Sequence, residues 1–154
     1  MKLHFEDNLD YQHAAIESVA ALFKGQEINR TEFTVTYRSG DAAQGSFGVT
    51  ESALGIGNKL ELLDDEILEN MRDIQLKNGL RPSESLTSGD FTVEMETGTG
   101  KTYVYLRTIF ELNKRYGFTK FVIVVPSVAI KEGTYKTLQI TREHFENLYP
   151  MAKG

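Results

Sequence analysis

Phe91-Thr92-Val93-Glu94-Met95-Glu96-Thr97-Gly98-Thr99-Gly100-Lys101-Thr102 joins a run of β-forming residues to a glycine-rich turn and the start of a helix. Gly-Lys-Thr after such a turn is the pattern of a phosphate cradle. Loop N–H groups point at an anion, and the helix behind presents its positive N-terminal end. Lys101 is placed to reach β- and γ-phosphates, and the Thr102 hydroxyl to ligate Mg²⁺. These two are the candidate catalytic residues. The strict pattern wants a glycine five residues before Gly100, where this chain has Met95.

Working outward, the cradle sits in a strand, turn, helix and strand order. Phe91 to Met95 alternates like a half-exposed strand after the turn signal Ser88-Gly89-Asp90. Lys101 to Tyr116 reads as a helix, with Tyr105, Ile109, Leu112 and Tyr116 on one face. Lys114 and Arg115 suit its last turn, and Gly117 stops it. Phe121-Val122-Ile123-Val124-Val125, closed by Pro126, reads as a parallel strand covered on both faces. Two strands joined by a helix form a βαβ unit. The fold class expected is α/β with a parallel sheet.

Composition points to one domain. The chain has 154 residues, 40% of them hydrophobic, which is enough to fill one core. No apolar stretch approaches the roughly 20 residues that cross a bilayer, and the start lacks a secretory apolar core. No membrane is therefore expected as a partner. Zero cysteines exclude disulfides and thiolate metal sites, and a cytoplasmic location is the expectation. His4, His13 and His144 are too scattered for a metal site.

Charge divides at the cradle. Residues 1–100 hold 8 Lys+Arg against 18 Asp+Glu, while residues 101–154 hold 9 against 4. The net charge of −5 argues against strong stand-alone nucleic-acid binding, which needs many cations facing phosphate. The basic second part can still offer a local positive surface to a polyanion. The acidic part is equally readable as a solvated surface.

Three pieces precede the cradle. Asp10 to Phe23 reads as an amphipathic helix with Tyr11, Ala15, Val19, Leu22 and Phe23 near one face. Residues 26–57 are polar and glycine-rich, with Phe33–Tyr37 alternating like a strand and Phe47 and Val49 as its partner. Asn58 to Asn78 reads as a helix with the stripe Leu60, Leu63, Ile67, Met71 and Ile74. Gly79 to Gly89 reads as a surface loop.

Two further motifs flank the cradle. Leu9-Asp10-Tyr11-Gln12 lies upstream, and the Gln12 amide can both accept from and donate to an adenine edge; it is also readable as a plain surface residue. Pro126-Ser127-Val128-Ala129-Ile130-Lys131-Glu132-Gly133 follows the second β-forming run directly. At the carboxyl end of a strand, Ser127 and Lys131 can hold a nucleic-acid phosphate. The bland alternative is a turn into a helix started by Pro126 and Ser127.

In order, these motifs resemble the opening part of a superfamily-two helicase: the Tyr-Gln pair resembles the adenine-sensing motif, Met95–Thr102 motif I, and Pro126–Gly133 motif Ia. The closer resemblance is to the restriction subunit of type III restriction-modification systems. Val93 to Thr108 is similar to that family's motif I, and Val124 to Gly133 to its motif Ia. The separation of more than 80 residues between Gln12 and Gly98 also fits. The resemblance spans essentially the whole chain.

The resemblance implies a partial RecA-like P-loop domain, with residues 26–90 an inserted α+β subregion and 1–154 the amino-terminal part of a helicase ATP-binding domain. It implies ATP and Mg²⁺ as cofactors, bound by Gln12, Glu96, Thr97, Gly98, Thr99, Gly100, Lys101 and Thr102, with Thr102 the Mg²⁺ ligand. It implies double-stranded DNA, contacted by Ser127 and Lys131, and a methyltransferase subunit as partners. The whole enzyme would be an ATP-dependent DNA translocase and endonuclease. No acidic box follows Gly133, because no buried apolar strand precedes Glu143-His144-Phe145-Glu146. The expectation is thus an amino-terminal fragment that binds nucleotide weakly without turning it over. Other readings are a different superfamily-two helicase fragment, a small P-loop kinase, or an interaction module that does not hydrolyse nucleotide.

Overall fold

A computed structural model of the chain describes residues 9–28 and 58–150. Four helices run in order: α1, Asp10–Ala21; α2, Asp64–Lys77; α3, Lys101–Tyr116; and α4, Val128–Leu148. The expected strand pair Phe33–Tyr37 and Phe47–Val49 lies outside the described residues.

Helix α3 is the centre. It packs against α1 on one side and α4 on the other, and α2 rests on α1. Val104 meets Ala15 and Ile16 of α1, with Met95 beside them. Further along, Leu112 joins Ala20 and Phe118. On the opposite side, Tyr103 and Leu106 close over Phe145 and Tyr149. Among the described residues Phe145 is the best-buried aromatic, 1% exposed. The rings of Tyr103, Phe110 and His144 lie 5.4, 4.9 and 5.5 Å from its own. Truncating it to alanine should cost about 3–5 kcal/mol.

The single apolar face expected for α3 is therefore two faces. Of Tyr105, Ile109, Leu112 and Tyr116, only Leu112 is buried, because a helix between two others turns both sides inward. Helix α1 is rotated likewise: Gln12, Ile16 and Ala20 are buried with Ala15, whereas Tyr11 is half exposed. Helix α2 starts at Asp64, later than expected. There Leu63 N–H donates to Glu66 Oε2 at 2.8 Å, and Leu60 and Leu63 stay exposed ahead of it.

The α/β expectation is overturned: among the described residues there are four helices and no strand. Neither Phe91–Met95 nor Phe121–Val125 joins a ladder, so the parallel sheet, the βαβ unit and the RecA-like sheet are all corrected. β-propensity measures fit to a pleated, half-buried surface, and without another backbone alongside it has nothing to act on. Val122 and Val124 are accordingly 89% and 88% exposed.

Side-chain amides tie the connections down. Asn70 of α2 donates to the Leu22 and Lys24 carbonyls at 3.1 and 2.9 Å, satisfying groups that the end of α1 leaves open. Buried Gln26 donates to the Lys59 carbonyl at 3.1 Å and accepts from Glu61 N–H at 2.9 Å. It thereby pins together the two ends of the segment between residues 28 and 58.

Candidate functional site

The glycine-rich loop is held in shape by its own carbonyls. Gly98 and Gly100 lie at φ +84° and +83°, left-handed positions that strain any side-chain-bearing residue. Thr99 Oγ1 donates to the Glu96 carbonyl at 2.7 Å, and Lys101 Nζ donates to the same oxygen at 3.0 Å. Glu96 O is thus the point on which the loop folds, and it holds the ammonium over the loop.

From outside, Gln12 braces it. Its side-chain amide, 6% exposed, donates to the Thr99 carbonyl at 2.9 Å. A Cβ at Gly100 would sit 2.8 Å from Gln12 Nε2, so the glycine is required by backbone angle and by packing together.

Gly100 is the N-cap of α3, whose first turn carries no acidic side chain. The N–H groups of Gly100, Lys101, Thr102 and Tyr103 lie ahead of the first intrahelical bond, which runs from Val104 N–H to Gly100 O at 3.0 Å. Such a helix end favours an anion. Glu96, Gly98, Gly100 and Lys101 are exposed and Thr102 is half-buried, so the loop opens to solvent. Beside it lies an open cleft of about 1510 Å³, walled by Tyr11 and Ala15 of α1, Met71 and Ile74 of α2, and Phe91 to Thr99.

Ser127 and Lys131 form a second group, one turn apart at the start of α4. Ser127 is its N-cap: the hydroxyl accepts from Ile130 N–H at 3.3 Å, and Lys131 N–H donates to Ser127 O at 3.0 Å. Both side chains are exposed. The structure therefore brings Gln12, Glu96, Thr99, Gly100 and Lys101 together and sets Ser127 and Lys131 on another helix.

A third arrangement escaped the sequence reading. Tyr103, Arg107, Glu111 and Arg115 stand four residues apart along α3. Tyr103 Oη meets His144 Nε2 at 2.8 Å, and Arg107 Nε donates to Tyr149 Oη at 3.3 Å. Tyr149 Oη donates to Glu111 Oε1 at 2.6 Å, and Arg115 Nε donates to Glu111 Oε2 at 2.9 Å. The terminal nitrogens of Arg115 grip both oxygens of Glu17 on α1. The hydrogen bond from Arg115 holds the Glu17 carboxyl below the usual carboxylate range. Burial, with Glu111 adding to it, pushes the Tyr149 hydroxyl up to about 12. The four-residue spacing of these polar side chains was the available signal.

Among the described residues no three His, Cys, Asp or Glu side chains cluster as a metal site, and no helix is long and apolar enough to cross a membrane. The Thr102 side chain, half-buried at the loop's end, carries a hydroxyl of the kind that can be one ligand of Mg²⁺, an ion that keeps several waters and takes phosphate oxygens for the rest of its shell.

The family described as "Type III restriction enzyme, res subunit" matches residues 7–153. The EcoPI Res subunit of Escherichia phage P1 is 34% identical over 150 residues, covering 94% of this chain and 14% of that protein. The EcoP15I Res subunit of Escherichia coli is 34% identical over 149 residues, with the same coverage. The StyLTI Res subunit of Salmonella typhimurium is 56% identical over 59 residues, or 37% of this chain and 6% of that one. The chain spans 14% of the length of the first two relatives.

Proposed function

This chain belongs to the family of type III restriction enzyme Res subunits, and from that premise we propose that it carries the ATP-phosphate site of a motor acting on double-stranded DNA. The observation that carries this reading is the loop, where two left-handed glycines precede a helix start free of acidic side chains and Lys101 is held over the turn.

In this reading Lys101 leaves the Glu96 carbonyl and donates to phosphate oxygens. The N–H groups of Gly98 to Thr102 do the same, and the Thr102 hydroxyl would be the residue that holds Mg²⁺. When bound, the metal supplies charge that offsets the phosphates. Glu96 and Thr97 border the triphosphate, and Gln12 keeps its second amide proton and its carbonyl for the adenine edge while bracing Thr99. Ser127 and Lys131 hold a DNA backbone phosphate, by backbone contact and not by base reading.

The relatives are named as subunits of restriction-modification enzymes, which supports a modification methyltransferase as partner of the whole protein, with ATP-driven translocation and DNA cleavage as its activities. Residues 1–154 are then the amino-terminal part of the ATP-binding region. Residues 26–90 are a decorating subregion, rich in acidic side chains, that would meet the methyltransferase subunit or another lobe of the motor. The Gln26 clasp on Lys59 and Glu61 supports an excursion that leaves and returns at one point.

Isothermal titration with Mg-ATP and with pyrophosphate tests phosphate recognition. Saturable Mg-ATP binding displaced by pyrophosphate is expected, and binding that excess pyrophosphate leaves unchanged would overturn the reading.

A further inference from the structure

Met95 stands where the strict phosphate-loop pattern has glycine, and its side chain is put to use. It is half-buried and packs against Ala15 and Ile16 of α1 and Val104 of α3. Ile16 is 1% and Val104 5% exposed, so the residue that leads into the loop touches the helix that leads out of it. An unbranched thioether chain suits the irregular gap between one small and two β-branched side chains. The next carbonyl along, that of Glu96, accepts from both Thr99 Oγ1 at 2.7 Å and Lys101 Nζ at 3.0 Å. One turn before Ile16 on α1, Gln12 donates to the Thr99 carbonyl at 2.9 Å. Helix α1 thus holds the loop at two places, by an apolar contact at Met95 and a hydrogen bond at Thr99. Between them lies Gly98, at which an added Cβ would meet open space.

We propose that Met95 is a positioning residue for the phosphate loop: seated on α1, it fixes the Glu96 carbonyl and, through that oxygen, the place of Lys101. This role rests on the functional reading above and deepens it. A loop already held in shape spends less of its attraction for phosphate on being ordered. Glycine at position 95 removes the seat and adds backbone freedom directly ahead of Glu96. Restoring the strict pattern in this chain therefore impairs phosphate binding, because Ala15, Ile16 and Val104 are arranged around a side chain that glycine does not have.

The Kd values for Mg-ATP and for pyrophosphate are measured by isothermal titration on the 154-residue chain, on Met95→Gly and on Met95→Leu. Each is titrated at a temperature where circular dichroism shows it fully folded. Met95→Gly should weaken both ligands by the same factor, about 2- to 5-fold from the added backbone freedom alone. Met95→Leu, apolar and of similar volume, should keep the wild-type affinities. Should Met95→Gly not fold, Met95→Ala takes its place, losing the contact while keeping an ordinary backbone, and is expected to weaken both ligands equally. A merely structural role would lower Tm in the glycine or alanine variant and leave the affinities of the folded chain alone; that result overturns the proposal. So does a loss for Mg-ATP that pyrophosphate does not share, or a Met95→Leu chain as weak as Met95→Gly. A wild-type chain that binds neither ligand overturns the functional reading, and the proposal falls with it.

Discussion

Gln12 on α1 donates its side-chain amide to the Thr99 carbonyl at 2.9 Å, so the first helix is hydrogen-bonded into the loop that opens the third. The contact joins residues 87 positions apart and is part-buried. A glutamine on an amphipathic helix is ordinarily outside; this one faces inward because the loop carbonyl needs a donor there.

Removing that brace should loosen the loop. Gln12→Ala should weaken Mg-ATP binding about 2- to 12-fold, the range of one net hydrogen bond. Gln12→Glu should weaken it more, because a carboxylate would face a carbonyl. Titration with a fluorescent ATP analogue measures both, and wild-type affinity in Gln12→Glu would contradict the brace.

Gly100→Ala should be worse than either. The left-handed angle alone costs about 1–2 kcal/mol for a residue with a side chain, and the new methyl would press on Gln12 Nε2 at 2.8 Å. Adding Gln12→Ala should recover only the contact portion, seen as a partial rise in Tm over Gly100→Ala. Full recovery would mean that the backbone angle carries no strain.

Acid should act on the Glu17–Arg115 pair. Arg115 lowers the folded pKa of Glu17 below its ordinary 4.5, so the pair's contribution is fully present above that value and is lost as pH falls through the folded pKa. Its side chains are 34% and 54% exposed, so the effect is screened and small. Denaturant midpoints from pH 7 down to 3 should drop more steeply for the wild type than for Glu17→Gln. Parallel curves would show that the pair adds nothing.

Lys131→Ala should weaken duplex binding equally across sequences and reduce the salt slope by about one unit. Filter binding between low and moderate salt measures it. A slope equal to wild type would remove Lys131 from the DNA path.

The sequence revealed what depends on local chemistry. Gly98, Gly100 and Gly117 mark turns because only glycine takes those angles without strain, and α3 runs over the expected span Lys101–Tyr116. What depends on neighbours stayed hidden. Val122 and Val124 read as a covered strand, yet among the described residues no strand pairs with them. Helix α3 was given one apolar face because the second, through Tyr103 and Leu106, shows only once α4 is in place. Buried Gln12 and half-buried Glu111 were invisible as inward-facing positions because polar side chains carry no hydrophobic signal.

The most direct test of the phosphate site is a paired Mg-ATP titration of the chain and its Lys101→Ala variant, each checked for helix content. Saturable binding in the wild type should weaken by about 10- to 150-fold in the variant, the range of one hydrogen bond to a charged group. Two equally helical proteins that bind Mg-ATP with the same affinity would contradict the account.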